Sequence, residues 1–447
     1  MRSSFVFDQN KCTGCHACRL ACTIENELPL RQSWRQIYTF NPRHLPAAPV
    51  FHLSLACNHC EHAACMAACP ALAYSRDAET GAVLLDPMKC IGCRYCSWAC
   101  PYDAPQYDGS AGVMTKCTFC VERLRAGQIP ACADLCPTGA LTFAQLEDEE
   151  IVHDAEGFPQ SDLSPAIKII PWSGGPPLAT HDATDVMPIP ERKVERIGLA
   201  SEWPLLAFTF IVAALFGAVA AEVVQPQGVS PVAFVGTALL GFALSGVHLG
   251  KRLRAWRAVL NVAHSWLSRE VLFVGLFVLA GAVYLALTPE RKPIGWVAVA
   301  LGLMALFSVD MVYRFADRAG PRIPHSASLV LTGPLLAGVL LVDPAFTVVF
   351  GVSKLVLYVW RKVGLARERL TWRARASAVR IGFGFVVPAV LWIASVPGWY
   401  GLMIPAVLLG EFVDRAEFYA ELDLVSPERQ MRLDLARRAD GGRAVGR

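Results

Sequence analysis

The sequence predicts a chain in two parts: an α+β domain organised by cysteines, then an all-α bundle of eight helices in a membrane. Three observations carry this. All sixteen cysteines lie before residue 137, and they fall into four groups of four. Most of the long apolar runs lie after residue 200; with 54% hydrophobic residues and a mean hydropathy of +0.39, the 447-residue chain is too apolar for an ordinary soluble protein. Finally, the loops between those runs carry arginine and lysine on alternate sides. The net charge of +3 decides little by itself, and no nucleic-acid partner is expected.

The first part is organised around Cys90 to Pro101, which reads CIGCRYCSWACP. Three cysteines at i, i+3 and i+6, a fourth four residues later and a proline behind it form the ligand run of a bacterial-type 4Fe-4S cluster. The fourth thiolate of such a run serves a different cluster from the first three, so each run needs a partner. Cys12, Cys15, Cys18 and Cys22 repeat the spacing; Cys57, Cys60, Cys65 and Cys69 stretch it by two residues, and Cys117, Cys120, Cys132 and Cys136 stretch it further. The competing metal is zinc, which takes two Cys-x-x-Cys pairs per tetrahedral site and would leave the third cysteine of each run superfluous. A disulfide scaffold suits small secreted chains, and cysteines three apart in one tight turn pair poorly. The expectation is a ferredoxin-like domain with four 4Fe-4S clusters. No nucleophile with a base and no phosphate-binding glycine loop is visible in this half. His16, His59 and His62 are read as surface or hydrogen-bonding histidines, because the cysteines fill the iron sites; Arg94, Tyr95 and Trp98 are read as packing around a cluster.

The start of the chain has no apolar stretch of signal-peptide length and no twin arginine, so no export is expected from this polypeptide itself. The domains expected are 1–150 for the clusters, 151–202 as a Pro/Gly-rich linker, 203–420 for the membrane anchor and 421–447 as a cytoplasmic tail.

A spanning helix needs about 20 apolar residues. Candidates are Trp203 to Val224, Pro231 to Leu249, Leu267 to Leu287, Ile294 to Tyr313, Ala327 to Leu341, Ala345 to Trp360, Ala378 to Val396 and Trp399 to Phe412. Loops after the second, fourth and sixth carry Lys251, Arg252, Arg254 and Arg257, then Arg314, Arg318 and Arg322, then Arg361, Lys362, Arg367, Arg369, Arg373 and Arg375. The opposite loops carry only Arg291 and Lys292. By the positive-inside rule both termini are cytoplasmic, which makes this a multi-pass protein of a bacterial inner membrane with a cytoplasmic iron-sulfur domain. His248 ends the second span and Glu270 opens the third. An imidazole and a carboxylate there suit a quinone site, since a quinol loses protons with its electrons. The bland alternative is a helix-capping histidine and a glutamate paired with Arg269 or Arg254. Lys354, Glu222, Asp310, Glu411 and Arg415 are read as snorkelling or pairing within the bundle. No haem is expected, because only His248, His264 and His325 follow residue 200.

The segments CNHCEHAACMAACP, CIGCRYCSWACPYDAPQY and MTKCTFCVERLRAGQIPACADLCPTGAL resemble the iron-sulfur subunit of the dimethyl sulfoxide reductase family of molybdopterin oxidoreductases. SEWPLLAFTF, HLGKRLRAWRAVLNVAHSWLSREVLF, LTGPLLAGVLL and LLGEFVDRAEFY resemble the eight-helix anchor subunit of the same family, so the sequence resembles a fusion of the two. The resemblance implies four ligand sets: Cys12, Cys15, Cys18 and Cys136; Cys22, Cys117, Cys120 and Cys132; Cys57, Cys60, Cys65 and Cys100; Cys69, Cys90, Cys93 and Cys96. Some relatives have tryptophan in place of Cys93 and hold a 3Fe-4S centre; cysteine here implies four cubanes. It also implies a quinol site at His248 and Glu270, quinone or menaquinone as the mobile substrate, and a separate catalytic subunit carrying molybdopterin bis-guanine dinucleotide. The cytoplasmic orientation departs from the periplasmic one familiar in the family. It favours, as an alternative, a cytoplasmic sulfite dehydrogenase that delivers electrons to quinone. A redox module of an ion-translocating complex and a tethered ferredoxin are the other readings.

Overall fold

The computed structural model describes residues 1–29, 32–45, 48–174, 198–287, 292–314, 325–367, 374–394, 399–422 and 424–444, except for the side chains of 366, 367 and 439–444. Most of the expected linker, 175–197, lies outside the described residues, as do Arg291, Arg318, Arg322, Arg369 and Arg373. The protein forms two compact units, one of Met1–Arg196 with Leu424–Arg447 and the other of Ile197–Asp423.

Among the described residues, the part of the first unit before the bundle has nine short strands and five short helices. The strands are β1 (Arg2–Asp8), β2 (Gln36–Phe40), β3 (Phe51–Leu55), β4 (Tyr74–Arg76), β5 (Val83–Leu85), β6 (Gln106–Asp108), β7 (Val113–Thr115), β8 (Leu141–Leu146) and β9 (Ile167–Ile170). The helices are α1 (Ala17–Glu25), α2 (Ala64–Ala68), α3 (Tyr95–Ala99), α4 (Val121–Arg125) and α5 (Ala131–Asp134). Three antiparallel hairpins, β2–β3, β4–β5 and β6–β7, join a three-stranded sheet of order β8-β1-β9. In β1 the alternation of RSSFVFD buries Phe5 and Phe7, and the Phe5 ring sits 5.0 Å from that of Phe119. This sheet moves the expected boundary at 150. Strand β9 pairs in parallel with β1, Phe5 opposite Ile167, so residues up to 170 belong to the cluster domain. A four-residue strand whose partner lies some 160 residues away leaves little local signal.

The expected tail at 421–447 is a helix, α15 (Pro427–Ala444), packed on this unit; to keep chain order it is numbered after the bundle helices below. Asp434 Oδ2 accepts the Gly157 N–H at 2.9 Å, and Arg438 donates to both Glu156 oxygens at 2.5 and 2.7 Å. Gly157 has φ +82°, and a Cβ there would lie 2.9 Å from Met431 Cγ. We expect Gly157→Val to cost about 2–4 kcal/mol in local docking, through the left-handed backbone and the overlap with Met431. Limited proteolysis should then cleave near 424–426 faster than in the parent protein; an unchanged rate would contradict this packing.

The second unit contains α6 (Leu199–Val224), α7 (Pro231–Val247), α8 (Trp266–Ala286), α9 (Lys292–Val312), α10 (Leu329–Leu341), α11 (Pro344–Arg367), α12 (Ala374–Ile381), α13 (Val387–Ala394) and α14 (Trp399–Glu421). Among the described residues four helices are long and apolar enough to cross a membrane: Leu199–Val224, Trp266–Ala286, Lys292–Val312 and the continuous run Ala374–Ala394. A fifth arises if α7 and the 3₁₀ helix Arg252–Val259, bent by 106°, count as one. A π-helical turn, Gly382–Val386, joins α12 to α13. There Gly384 meets Gly410 of α14 so closely that a side chain on Gly410 would collide with the Gly384 backbone, and one on Gly384 with the Arg380 guanidinium.

Helices α11 and α14 outrun the expected spans. The apolar run was expected to end at Trp360, but α11 continues to Arg367; that of the last helix was expected to end at Phe412, but α14 continues to Glu421. Charges ended the hydropathic pattern without ending the helix, because they are paired inside the bundle. For the same reason Arg361 and Lys362, 4% and 8% exposed, are not loop charges as expected.

Candidate iron-sulfur centres and the anchor

Each Cys-x-x-Cys segment turns through left-handed backbone and then enters a short helix. His16 (φ 62°), Arg94 (φ 61°) and Cys120 (φ 48°) stand immediately before α1, α3 and α4, which aims successive thiols toward one point. Backbone N–H groups line these turns: those of Gly92 and Met114 donate to Cys90 Sγ, that of Phe119 to Cys117, Ala73 to Cys69 and Leu141 to Cys136, each at 3.4 Å. Such N–H···S bonds stabilise thiolate and are one of the levers on a cluster's potential.

The thiols gather in sets that sequence neighbours alone could not form. Cys12 has Cys18, Cys136 and Cys15 as electrostatic neighbours, and Cys22 has Cys132, Cys120 and Cys18. Cys60 faces Cys57, Cys100 and Cys65, while Cys93 faces Cys69 and Cys90. Between these groups Cys18 has Cys132 as an electrostatic neighbour, Cys117 has Cys57, and Cys96 has Cys65. Burial pushes the Cys22 thiol up to about 12, with Cys132 adding to the rise and Arg35 opposing it; burial likewise raises Cys60, Cys96 and Cys117 well above the usual thiol range. Cys136 behaves otherwise, because the N–H of Leu141 and the Thr138 hydroxyl outweigh its burial and lower it.

Two hollows sit where cubanes would be held. The lining of one includes Cys69, Cys90, Cys93 and Cys96; that of the other includes Cys57, Cys60, Cys65 and Cys100. Thiols that burial holds protonated lose that penalty when iron replaces the protons, so the donor sets fit iron-sulfur clusters.

Sequence reasoning passed over two basic groups around these centres, Arg35 and Lys116. Arg35, 1% exposed, donates to Ser54 O and Oγ at 3.2 and 3.1 Å, and the Ser54 hydroxyl meets Cys18 Sγ at 3.4 Å. Lys116, 3% exposed, donates to the carbonyls of Val83 and Cys117 and borders the second hollow. His59 was read as a surface or hydrogen-bonding histidine; it is buried, stacked 4.2 Å from Phe119, and its Nδ1 accepts the Val83 N–H at 2.9 Å. No local signal marks a buried arginine in SWRQIYTF, since its counter-charge comes from cysteines elsewhere in the sequence. Arg94 lies 4.0 Å over the Tyr107 ring, and Tyr95 and Trp98 are buried beside α3's cysteine, as expected of packing residues.

In the anchor, Glu270 is buried on α8 with Arg415 and Asp310 as charged neighbours, while Arg269 donates to the carbonyls of Val262 and Ala263. This removes Arg269 from the bland pairing. His248, half-buried, caps the C-terminus of α7. Around Arg415 and beyond lies a buried ion-pair network. Lys354 of α11 meets Glu411 of α14 at 2.8 Å, and Arg380 of α12 meets the same carboxylate at 2.8 Å. Arg361 pairs with Asp414 at 3.0 Å, Lys362 with Glu417 at 2.9 Å, and Arg415 with Asp310 at 3.8 Å. Asp310 also accepts the N–H groups of Leu329 and Val330, capping α10. Glu222 is different, accepting from the N–H groups of Gln227 and Val229 at the end of α6.

Sixteen cysteines gathered in one unit, joined in one polypeptide to an apolar helical bundle, define a membrane-anchored iron-sulfur protein. Comparison with known proteins agrees. The 4Fe-4S dicluster domain family matches residues 49–146, and the DMSO reductase anchor subunit (DmsC) family matches residues 200–321. The iron-sulfur subunit of the anaerobic dimethyl sulfoxide reductase of Haemophilus influenzae is 41% identical over 153 residues, 32% of the present sequence and 74% of that one. The thiosulfate reductase electron transfer subunit PhsB of Salmonella typhi is 42% identical over 149 residues, 33% and 77% of the two sequences. One subunit of the sulfite dehydrogenase of Allochromatium vinosum is 34% identical over 186 residues, 37% and 73%. The protein belongs to the family of the dimethyl sulfoxide reductase iron-sulfur subunit, fused here to that family's membrane anchor. Its role is electron transfer and membrane anchoring.

Proposed function

We propose that this protein relays electrons between the membrane quinone pool and a separate molybdopterin-containing catalytic subunit, through four 4Fe-4S clusters in line. The observation that carries it is the closing of each thiol set by a cysteine distant in sequence, such as Cys136 beside Cys12, Cys15 and Cys18. The ligand sets are Cys12, Cys15, Cys18 and Cys136; Cys22, Cys117, Cys120 and Cys132; Cys57, Cys60, Cys65 and Cys100; Cys69, Cys90, Cys93 and Cys96. The partner is the counterpart of the catalytic subunit in a reductase whose iron-sulfur subunit this protein resembles, with its cofactor in the bis-guanine dinucleotide form.

The anchor crosses the membrane eight times, once in each of the eight helical stretches between Leu199 and Glu421. An even number is supported by the protein's own connectivity. Residues 1–196 and 424–447 share one compact unit, so the polypeptide leaves and returns on one side. Lys251, Arg252, Arg254, Arg257 and Arg314 support a cytoplasmic face of the inner membrane for that side.

His248 and Glu270 hold the quinone and take up its protons; both fall within the matched anchor segment. We expect His248→Leu and Glu270→Gln each to slow quinol-driven cluster reduction by about a hundredfold. Dithionite should still reduce the same number of clusters. Unchanged quinol rates would remove both residues from the site.

A second reading, delivery of electrons to quinone from a cytoplasmic sulfite dehydrogenase, is favoured by the basic loops and by the likeness to the sulfite dehydrogenase subunit of Allochromatium vinosum. The subunit that co-purifies with the protein, and the substrate it turns over, separates the two.

A further inference from the structure

Arg35 is among the largest fully buried side chains of the protein, and no carboxylate among the described residues lies within ion-pair distance of it. Its guanidinium is fastened at one corner only, through Nη1 to Ser54. Nε and Nη2 are buried without a hydrogen-bond partner. The group lies 4.5 Å over the Phe5 ring, which supplies a weak attraction and no counter-charge. Removing a guanidinium from water without an anion is costly, so a fully buried one implies an anion nearby. Its nearest ionisable neighbours by electrostatic influence are Cys132, Cys18, Cys117 and Cys22, drawn from two of the four proposed thiol sets. Ser54 links the guanidinium to one of them directly, since its hydroxyl contacts Cys18 Sγ.

We propose that Arg35 is the shared counter-cation of the two clusters held by Cys12, Cys15, Cys18 and Cys136 and by Cys22, Cys117, Cys120 and Cys132, and that it raises the reduction potential of both. This rests on the four-cluster reading above. An oxidised cubane with four thiolates is a dianion, and accepting one electron makes it a trianion. No bond forms or breaks, and no proton is required. A permanent positive charge beside it stabilises the reduced state more than the oxidised one. Arginine suits the task because it stays charged when buried, which lysine or histidine does less reliably. The two unpartnered nitrogens, Nε and Nη2, are the donors left for cluster or cysteinyl sulfur. Arg35 is a positioning and tuning residue; the electron passes through the iron.

The test is redox-poised electron paramagnetic resonance on the full-length protein, with iron and acid-labile sulfide measured on the same samples. The parent protein should titrate four clusters; fewer would overturn the four-cluster reading itself, separately from the role of Arg35. In Arg35→Met and Arg35→Gln, two of the four couples should move to lower potential. At a fixed potential their reduced-to-oxidised ratio should fall about tenfold, equal to a 59 mV shift for a one-electron couple. Arg35→Lys should recover most of it. Should the neutral variants lose iron, loss of half with retention in Arg35→Lys supports the pairing of this cation with two clusters. Loss of all iron, equal loss in Arg35→Lys, equal shifts in all four couples, or unshifted couples with full iron would each overturn it.

Discussion

Replacing Cys136 by serine should cost the protein about a quarter of its iron and bring quinol-driven electron transfer to background, although Cys136 stands 118 residues beyond Cys18 in sequence. The reason is geometric. Cys136 is a charged neighbour of Cys12 and Cys18, so the cluster that fails is the one held by the first group. Cys22→Ser should remove a different cluster, that of Cys117, Cys120 and Cys132, even though Cys22 belongs by spacing to the first group. Spectra of the two variants should therefore lack different signals. If both lose the same signal, each run keeps its own fourth ligand and the crossed sets are wrong. In the proposed line of four clusters, where Cys18 neighbours Cys132, Cys117 neighbours Cys57 and Cys96 neighbours Cys65, no parallel route bypasses a missing centre.

The second large effect is expected in the bundle. Glu411 receives Lys354 and Arg380 at 2.8 Å each and the Thr332 hydroxyl at 2.8 Å, and all three ionic partners are essentially inaccessible. Glu411→Leu leaves two buried cations with one neighbouring carboxylate, Asp414, which Arg361 already engages. The loss should be about 3–5 kcal/mol, the usual cost of stripping one partner from a buried pair. Thermal unfolding in detergent, followed by tryptophan fluorescence, measures it. Pairing the change with Lys354→Met should recover much of the loss, because both desolvated charges of that pair are then gone. A double variant as unstable as the single one would mean that Lys354 is not the partner that matters.

The same network explains where sequence reading ran short. Arg361 and Lys362 follow the sixth apolar run and Asp414 and Arg415 the eighth, and a hydropathy criterion stops there. In space the acids of α14, Glu411, Asp414, Glu417 and Glu421, recur at helical spacing and meet the basic face of α11. Pairing inside the bundle was one of the options open from sequence; its extent was not visible. Arg35 and Lys116 are the corresponding case in the cluster domain, since a buried base can be recognised only once its anions are located.

The sequence by itself determined the chemistry: cysteine spacing is a local property of tight turns, so it announces iron-sulfur ligation without any knowledge of the fold, and apolar length announces a membrane. Tertiary structure alone showed which distant thiols lie near one another, such as Cys136 and Cys12 or Cys117 and Cys57, and that the last helix returns to the cluster domain. Those outcomes depend on charges and thiols far apart in the sequence. Electrostatic pairing acts through space, so a spacing on one helix does not reveal the partner that meets it.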